Sequence, residues 1–210
     1  MTIEEILALS PVMPVVTILD AAHAVPMANA LLAGGLHTIE ITLRTPAALH
    51  AVEAIAREVP DLVVGVGTVL TAKDLRDAHE AGATFAISPG STPELMDAAR
   101  HGPLPYLPAI ATAGELMAGL DRGFTAFKLF PAASIGGTGL LKAFYGPFPG
   151  VRFCPTGGIS AETAPQYLAL PNVLCVGGSW VSPEAAIAAG DVATIERLAR
   201  EAAALARAAA

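Results

Sequence analysis

The sequence predicts an α/β fold, a single (β/α)₈ (TIM) barrel domain over residues 1–210 with a short N-terminal helix ahead of it. Three observations carry this. Short β-rich apolar runs that end in Gly, Pro, Ser or Thr alternate with Ala/Leu/Glu-rich stretches of helical spacing, in units of roughly 20–25 residues, which is the pattern of a parallel sheet. The chain has 210 residues, 53% of them apolar and 15% charged, enough for a large core and near the lower limit for eight strands closed on themselves. No Gly-x-Gly-x-x-Gly fingerprint follows the first strand, which counts against an open doubly wound sheet, and no linker or low-complexity block divides the chain.

In chain order, a helix near Thr2–Ala8 comes first. Its Thr2 and Glu5 have capping-box spacing, and it is placed to plug the bottom of a barrel. Strands follow at Val12–Leu19, Thr38–Leu43, Val63–Val69, Phe85–Ser88, Pro105–Ile110, Ala126–Phe130, Arg152–Pro155 and Val173–Val176. Helices are expected over Ala21–Ala33, Pro46–Glu58, Ala72–Ala81, Pro93–Arg100, Ala113–Leu120, Thr138–Phe144, Ala161–Leu168 and Val192–Ala208. The Ala-rich end, Ala199–Ala210, reads as a helix that frays, with no functional signal in it.

Composition excludes several classes of function. The formal net charge is −7 with no basic run, so nucleic acid, which requires clustered Lys and Arg, is not expected as a partner. No apolar stretch reaches membrane-spanning length. The N-terminus lacks the basic start of a signal peptide. Cys154 and Cys175 each sit in an apolar run, as reduced core thiols of a cytoplasmic protein do.

Charge inside the strands is the functional signal. In Ile39-Glu-Ile-Thr-Leu-Arg44, period two puts Ile39, Ile41 and Leu43 against the helices and turns Glu40, Thr42 and Arg44 inward. In Phe127-Lys-Leu-Phe, Lys128 shares a face with Phe130. Charges buried this way must be paired or held in a site. A structural Lys128–Glu40 ion pair would satisfy them. Two features favour a site: the charges lie toward the C-terminal halves of their strands, where barrel active sites form, and other strand ends supply small polar groups and glycines. Lys73 and Lys142 fall in helical stretches with ordinary polar neighbours, as solvated surface charges do, whereas Lys128 has no other charge in its run. An apolar setting disfavours the ammonium form, and a neutral amine can attack a ketone to form an imine.

A second subsite is suggested by Pro155-Thr-Gly-Gly-Ile and Val176-Gly-Gly-Ser-Trp, which occupy the loops after strands seven and eight. Barrels commonly bind phosphate there through backbone N–H groups. His23, His37, His50, His79 and His101 show no metal-ligand spacing, so neither a metal nor a cofactor is expected. Trp180 reads as packing.

Taken together, the motifs His23-Ala-Val-Pro-Met-Ala, Glu40-Ile-Thr-Leu-Arg-Thr, Val66-Gly-Thr-Val-Leu, Phe85-Ala-Ile-Ser-Pro-Gly, Phe127-Lys-Leu-Phe-Pro-Ala, Arg152-Phe-Cys-Pro-Thr-Gly-Gly-Ile and Val176-Gly-Gly-Ser-Trp closely resemble the bacterial 2-keto-3-deoxy-6-phosphogluconate (KDPG) and 4-hydroxy-2-oxoglutarate (KHG) aldolases over nearly the whole chain. The resemblance implies a metal-independent class I aldolase that cleaves KDPG to pyruvate and D-glyceraldehyde 3-phosphate, and also KHG to pyruvate and glyoxylate. It matches Lys128 to the Schiff-base lysine and Glu40 to the general acid/base. Arg44 and Thr68 match the groups that hold the pyruvate carboxylate, and Pro89 and Phe130 match residues lining the pyruvate pocket. Thr156 matches a position linked to stereochemical choice, and Gly157, Gly158, Gly178 and Ser179 match the phosphate site. It also implies a homotrimer.

The chain departs from that family at Ala109, where a glycine is usual after the proline, and in Ala132-Ala-Ser-Ile-Gly-Gly, which lacks the acidic residue common after Phe-Pro-Ala. Two other classes share part of the pattern. A phosphosugar isomerase or epimerase barrel would use the phosphate loops without a buried lysine, and a sugar-phosphate-binding barrel would have no use for both Lys128 and Glu40.

Overall fold

A computed structural model describes residues 1–206. Helix α1 (Ile3–Ala8) precedes β1 (Val12–Val16), α2 (Ala24–Ala33), β2 (Thr38–Thr42), α3 (Ala48–Glu58), β3 (Val63–Gly67), α4 (Ala72–Glu80), β4 (Ala86–Ile87) and α5 (Pro93–Arg100). After them come β5 (Tyr106–Leu107), β6 (Ala109–Ile110), α6 (Ala113–Leu120), β7 (Ala126–Leu129), α7 (Gly137–Tyr145), β8 (Arg152–Pro155), α8 (Ala164–Leu168), β9 (Val176–Gly178), α9 (Glu184–Ala188) and α10 (Val192–Ala203). Every strand pairing is parallel. The strands run β5-β4-β3-β2-β1-β9 in one piece and β6-β7-β8 in another, and the whole is an α/β fold built on a curled parallel sheet.

The curl follows from two unlike faces. Ile39, Ile41, Val64, Val66, Phe127 and Leu129 point outward into a core shared with the helices. Met13, Phe85, Ile87, Leu107, Ala126, Cys154 and Cys175 form a separate inner cluster. Ile6 and Leu7 of α1 pack into that inner cluster, so the helix closes one end of it. Each of these two side chains contributes about 1.5–3 kcal/mol by leaving water. The helix is started by the Thr2/Glu5 capping box. Matching boxes at Thr71/Asp74 and Thr112/Glu115 start α4 and α6.

Several expected boundaries are corrected by the tertiary structure. The strand expected over Pro105–Ile110 is interrupted at Pro108, which has no N–H for the ladder but still accepts from the Lys128 N–H at 2.9 Å. The strand expected at Val173–Val176 begins only at Val176, and Val173 keeps a single bridge to Phe153. The expected strand Val12–Leu19 ends at Val16 because Asp20 caps a 3₁₀ turn, Ala21–His23, ahead of α2. The strand expected to run to Val69 stops at Gly67, and Thr68 takes φ +61°. The helix expected from Ala161 starts at Ala164 after a Ser160–Thr163 turn. Helix α9 and a 3₁₀ turn at Ala132–Ile135 were not expected. The last helix ends at Ala203, and the part of the expectation that falls on residues 207–210 lies outside the described residues.

Among the described residues, no helix is long and apolar enough to cross a membrane.

Candidate active site

The inner face carries two charges in contact. Glu40 stands in the middle of β2 and Lys128 near the end of β7, 88 residues apart in sequence. The Lys128 Nζ donates to Glu40 Oε1 at 3.0 Å and to Oε2 at 3.3 Å. Lys128 is 5% exposed and Glu40 2%. Local alternation puts them there, since Ile39 and Ile41 on one strand and Phe127 and Leu129 on the other occupy the outer face. Gly67, paired with Thr42 on the adjacent strand, makes the space. A Cβ at that position would overlap the Glu40 carboxylate.

Neither side chain of the pair has another hydrogen-bond or ion-pair partner among the described residues. A buried ion pair that serves stability alone needs its remaining donors and lone pairs satisfied to offset desolvation. Here at least one ammonium proton and most carboxylate lone pairs are unspent. The Lys128 Nζ also stands 5.5 Å from the centre of the Phe130 ring.

Phe130 and Thr156 form part of the wall of a cavity of about 320 Å³, whose lining also includes Arg44, Gly157, Gly158, Gly178 and Ser179. The cavity lies at the C-terminal ends of the strands. A larger cavity, about 370 Å³, opens at the opposite end between Thr2–Glu4 and Arg100–Tyr106; neither wall includes Lys128 or Glu40, but only the smaller cavity includes Phe130, the ring beside Lys128 Nζ. The 320 Å³ cavity is built to meet anions. Gly157 and Gly158 have φ +100° and +72°; the Thr156–Gly177 bridge turns the Gly157 N–H toward the Gly177 carbonyl, while the backbone N–H groups of Gly158 and Ser179 find no acceptor among the described residues. Unspent backbone amides grouped in this way can hold an anion. The Arg44 guanidinium likewise has no partner among the described residues.

Arg44 lies two residues past the end of β2. Pairing of β2 with β3 ends at Thr42–Gly67, and the Arg44 N–H turns back to the Thr42 carbonyl at 2.8 Å. The side chain is exposed at the cavity wall. Thr68 and Pro89 are not in that wall. Thr68 directly follows β3, and Pro89 comes two residues after β4. The loop holding Pro89 is pinned from below by three hydroxyls: Tyr106 donates to Ser88 at 2.6 Å, Ser88 and Ser91 are 2.9 Å apart, and Ser91 and Tyr106 are 3.0 Å apart. Burial pushes the Tyr106 hydroxyl above its usual range, against the opposing effect of its two serine bonds.

The two cysteines are buried thiols with Sγ atoms 3.5 Å apart. Cys154 lies opposite Lys128 in the β7–β8 register. Its thiol is held below the usual range, first by the Cys175 hydrogen bond, with Lys128 and Thr156 adding to that and burial opposing it. Val15, Thr17, Ile159 and Gly177 also line the cavity and were not singled out from sequence as site residues. For Thr17 the available signal was its alternation with Met13 and Val15 along the first strand. No group of three or more His, Cys, Asp or Glu side chains suited to a metal occurs among the described residues.

A buried amine and carboxylate in contact, linked through Phe130 to a cavity with unspent N–H donors and a guanidinium, can form an imine with an anionic ketone and move protons around it. Comparison with known proteins points the same way. The family model described as KDPG and KHG aldolase matches residues 3–198. A KHG/KDPG aldolase of Escherichia coli is 54% identical over 199 residues, covering 95% of this chain and 93% of that one. A 2-dehydro-3-deoxy-phosphogluconate aldolase of Zymomonas mobilis is 53% identical over 209 residues, covering 99% and 98%. Among solved structures, KDPG aldolase from Legionella pneumophila, with pyruvate captured at low pH as a covalent carbinolamine intermediate, superposes with a TM-score of 0.94 at 47% identity, covering 96% of this chain and 98% of that one.

Proposed function

The chain belongs to the KDPG and KHG aldolase family, and on that premise we propose that it is a class I aldolase with Lys128 as nucleophile and Glu40 as general acid/base. Its proposed substrates are KDPG, cleaved to pyruvate and D-glyceraldehyde 3-phosphate, and KHG, cleaved to pyruvate and glyoxylate. The observation that carries this is the Lys128–Glu40 contact at 3.0 Å, buried and otherwise unpartnered.

The steps use only these groups. Glu40 takes a proton from the Lys128 ammonium, and the neutral amine attacks the C2 ketone to give a carbinolamine. Protonated Glu40 returns its proton to the C2 hydroxyl, water leaves, and a cationic imine remains. Glu40, again a carboxylate, takes the C4 hydroxyl proton. The C3–C4 bonding pair moves into the imine, which becomes an enamine as the aldehyde departs. Glu40 then protonates C3, and water hydrolyses the imine to release pyruvate and Lys128. No metal or cofactor enters any step.

In this reading Arg44 and Thr68 hold the pyruvate carboxylate, Pro89 and Phe130 shape the pyruvate pocket, and Thr156 bears on the configuration at C4. Gly157, Gly158, Gly178 and Ser179 take the phosphate. The unspent amides in the cavity wall support the last of these.

The proposal extends to architecture. The strands form one closed (β/α)₈ barrel in a single domain, supported by β5 and β6 being separated only by Pro108 and by the Phe153–Val173 and Thr156–Gly177 bridges between the β8 and β9 regions. The protein works in the cytoplasm as a homotrimer, without nucleic-acid or membrane partners. The test is pyruvate release from KDPG, its galactonate epimer and KHG, compared by kcat/KM, with borohydride trapping of pyruvate on the chain. Absence of both turnover and adduct would overturn the reading.

A further inference from the structure

We infer that Thr17 is a specificity-determining residue that accepts a hydrogen bond from a hydroxyl on the distal half of the substrate; the inference rests on the aldolase reading above. Thr17 sits just past β1 and lines the 320 Å³ cavity together with Arg44, Gly178 and Ser179. Strand register locates it further. Pro14 pairs with Gly178, so Thr17, three residues on, stands nearer the mouth than the glycines of β9. That is where substrate carbons beyond C4 would lie when C2 is at Lys128.

The direction of its hydrogen bond is decided by its neighbour. A hydroxyl has one proton to donate. The Thr42 hydroxyl donates to the Val16 carbonyl at 3.1 Å. The 2.9 Å contact between the Thr17 and Thr42 hydroxyls must then use the Thr17 proton. Thr17 Oγ1 is left with lone pairs alone on the cavity side. Apart from the Thr156 and Ser179 hydroxyls, which can donate as well as accept, the polar groups argued to bind ligand there are donors: the Arg44 guanidinium and the Gly158 and Ser179 amides. Phosphate and carboxylate oxygens suit those donors and have nothing to give Thr17. A substrate hydroxyl does. KDPG carries such a hydroxyl at C5, and KHG has none there.

The experiment compares kcat/KM for KDPG, for its non-phosphorylated analogue 2-keto-3-deoxygluconate, which keeps the C5 hydroxyl, and for KHG. It uses wild type, Thr17→Val and Thr17→Ser. Thr17→Val keeps the shape and removes the acceptor. The ratio of kcat/KM for each C5-hydroxyl substrate to that for KHG is expected to fall by about 5–10-fold, the effect of one neutral hydrogen bond. Thr17→Ser is expected to keep the wild-type ratios within about twofold. Equal losses on all three substrates would show that Thr17 only supports Thr42, and would overturn the inference. A loss confined to KDPG would make Thr17 a phosphate donor and overturn it too, as would unchanged ratios. Wild type is also treated with pyruvate and borohydride. A trapped Lys128 adduct with unchanged ratios sinks Thr17 alone, whereas no adduct sinks the aldolase reading and this one with it.

Discussion

Lys128 Nζ and Glu40 Oε1 are 3.0 Å apart, both side chains are buried, and each is the other's only charged partner among the described residues. The relationship makes the pair sensitive in two ways. The proposed chemistry needs both groups, and so does folding, because removing one partner of a buried pair costs about 3–5 kcal/mol. Experiments on either residue therefore have to read stability and turnover separately.

Borohydride reduction in the presence of pyruvate is expected to add a pyruvyl group at Lys128, the one lysine on a buried strand. Lys128→Ala should abolish both labelling and turnover, and activity should survive EDTA. Peptide mapping that finds the adduct on Lys73 or Lys142 would remove the assignment, and loss of activity in EDTA would favour metal-assisted cleavage.

Glu40→Gln preserves shape and one hydrogen bond to Lys128 but cannot titrate. General acid–base catalysis contributes about 10²–10⁴-fold, so kcat should fall by that order while urea unfolding shows a folded, destabilised protein. A variant that is destabilised but turns over within a few-fold of wild type would make the contact a structural ion pair.

Gly158→Val tests the anion cradle. Gly158 has φ +72°, and a Cβ there would meet the Ala133 side chain at 2.7 Å. The substitution should move the N–H donors of that loop, each worth roughly 0.5–3 kcal/mol to a phosphate. KM for KDPG should rise, with a much smaller change for KHG, which has no phosphate to place. Measuring both substrates on one variant cancels folding damage. Equal losses would leave Gly158 as a turn residue.

Tyr106 links pH to stability. Burial raises its pKa in the folded protein, so the folded state holds the phenol proton more tightly than the unfolded chain, whose tyrosines titrate near about 10. The stabilisation is complete below that value and is lost as pH rises through the folded-state pKa. The unfolding free-energy difference between wild type and Tyr106→Phe should thus be constant near neutrality and shift against wild type above about pH 10. Urea titrations of both proteins at neutral and alkaline pH give the comparison. Parallel pH profiles would show that the Ser88–Ser91–Tyr106 ring does not couple to ionisation.

By itself the sequence determined whatever depends on local geometry. The pleat repeats every two residues, so Thr38-Ile-Glu-Ile-Thr and Phe127-Lys-Leu-Phe already place Glu40 and Lys128 on the face opposite their apolar neighbours, and Thr2 with Glu5 already marks the start of a helix. The motifs carried the family for the same reason, since each is a contiguous string. Tertiary structure decided what depends on partners distant in the chain. Where β2 stops is set by its pairing with β3, so Arg44 falls past the strand and stands at the cavity wall. Where a strand breaks depends on which backbone groups the neighbour needs, as at Pro108. The glycines after β8 were visible as letters, but the unspent N–H of Gly158 follows from its φ and from the absence of a nearby acceptor. Thr17 was only a polar residue near a strand end until Thr42, 25 positions later, came within 2.9 Å and gave its own proton to Val16. A hydroxyl's direction belongs to the network around it, and that network exists only once the chain has folded.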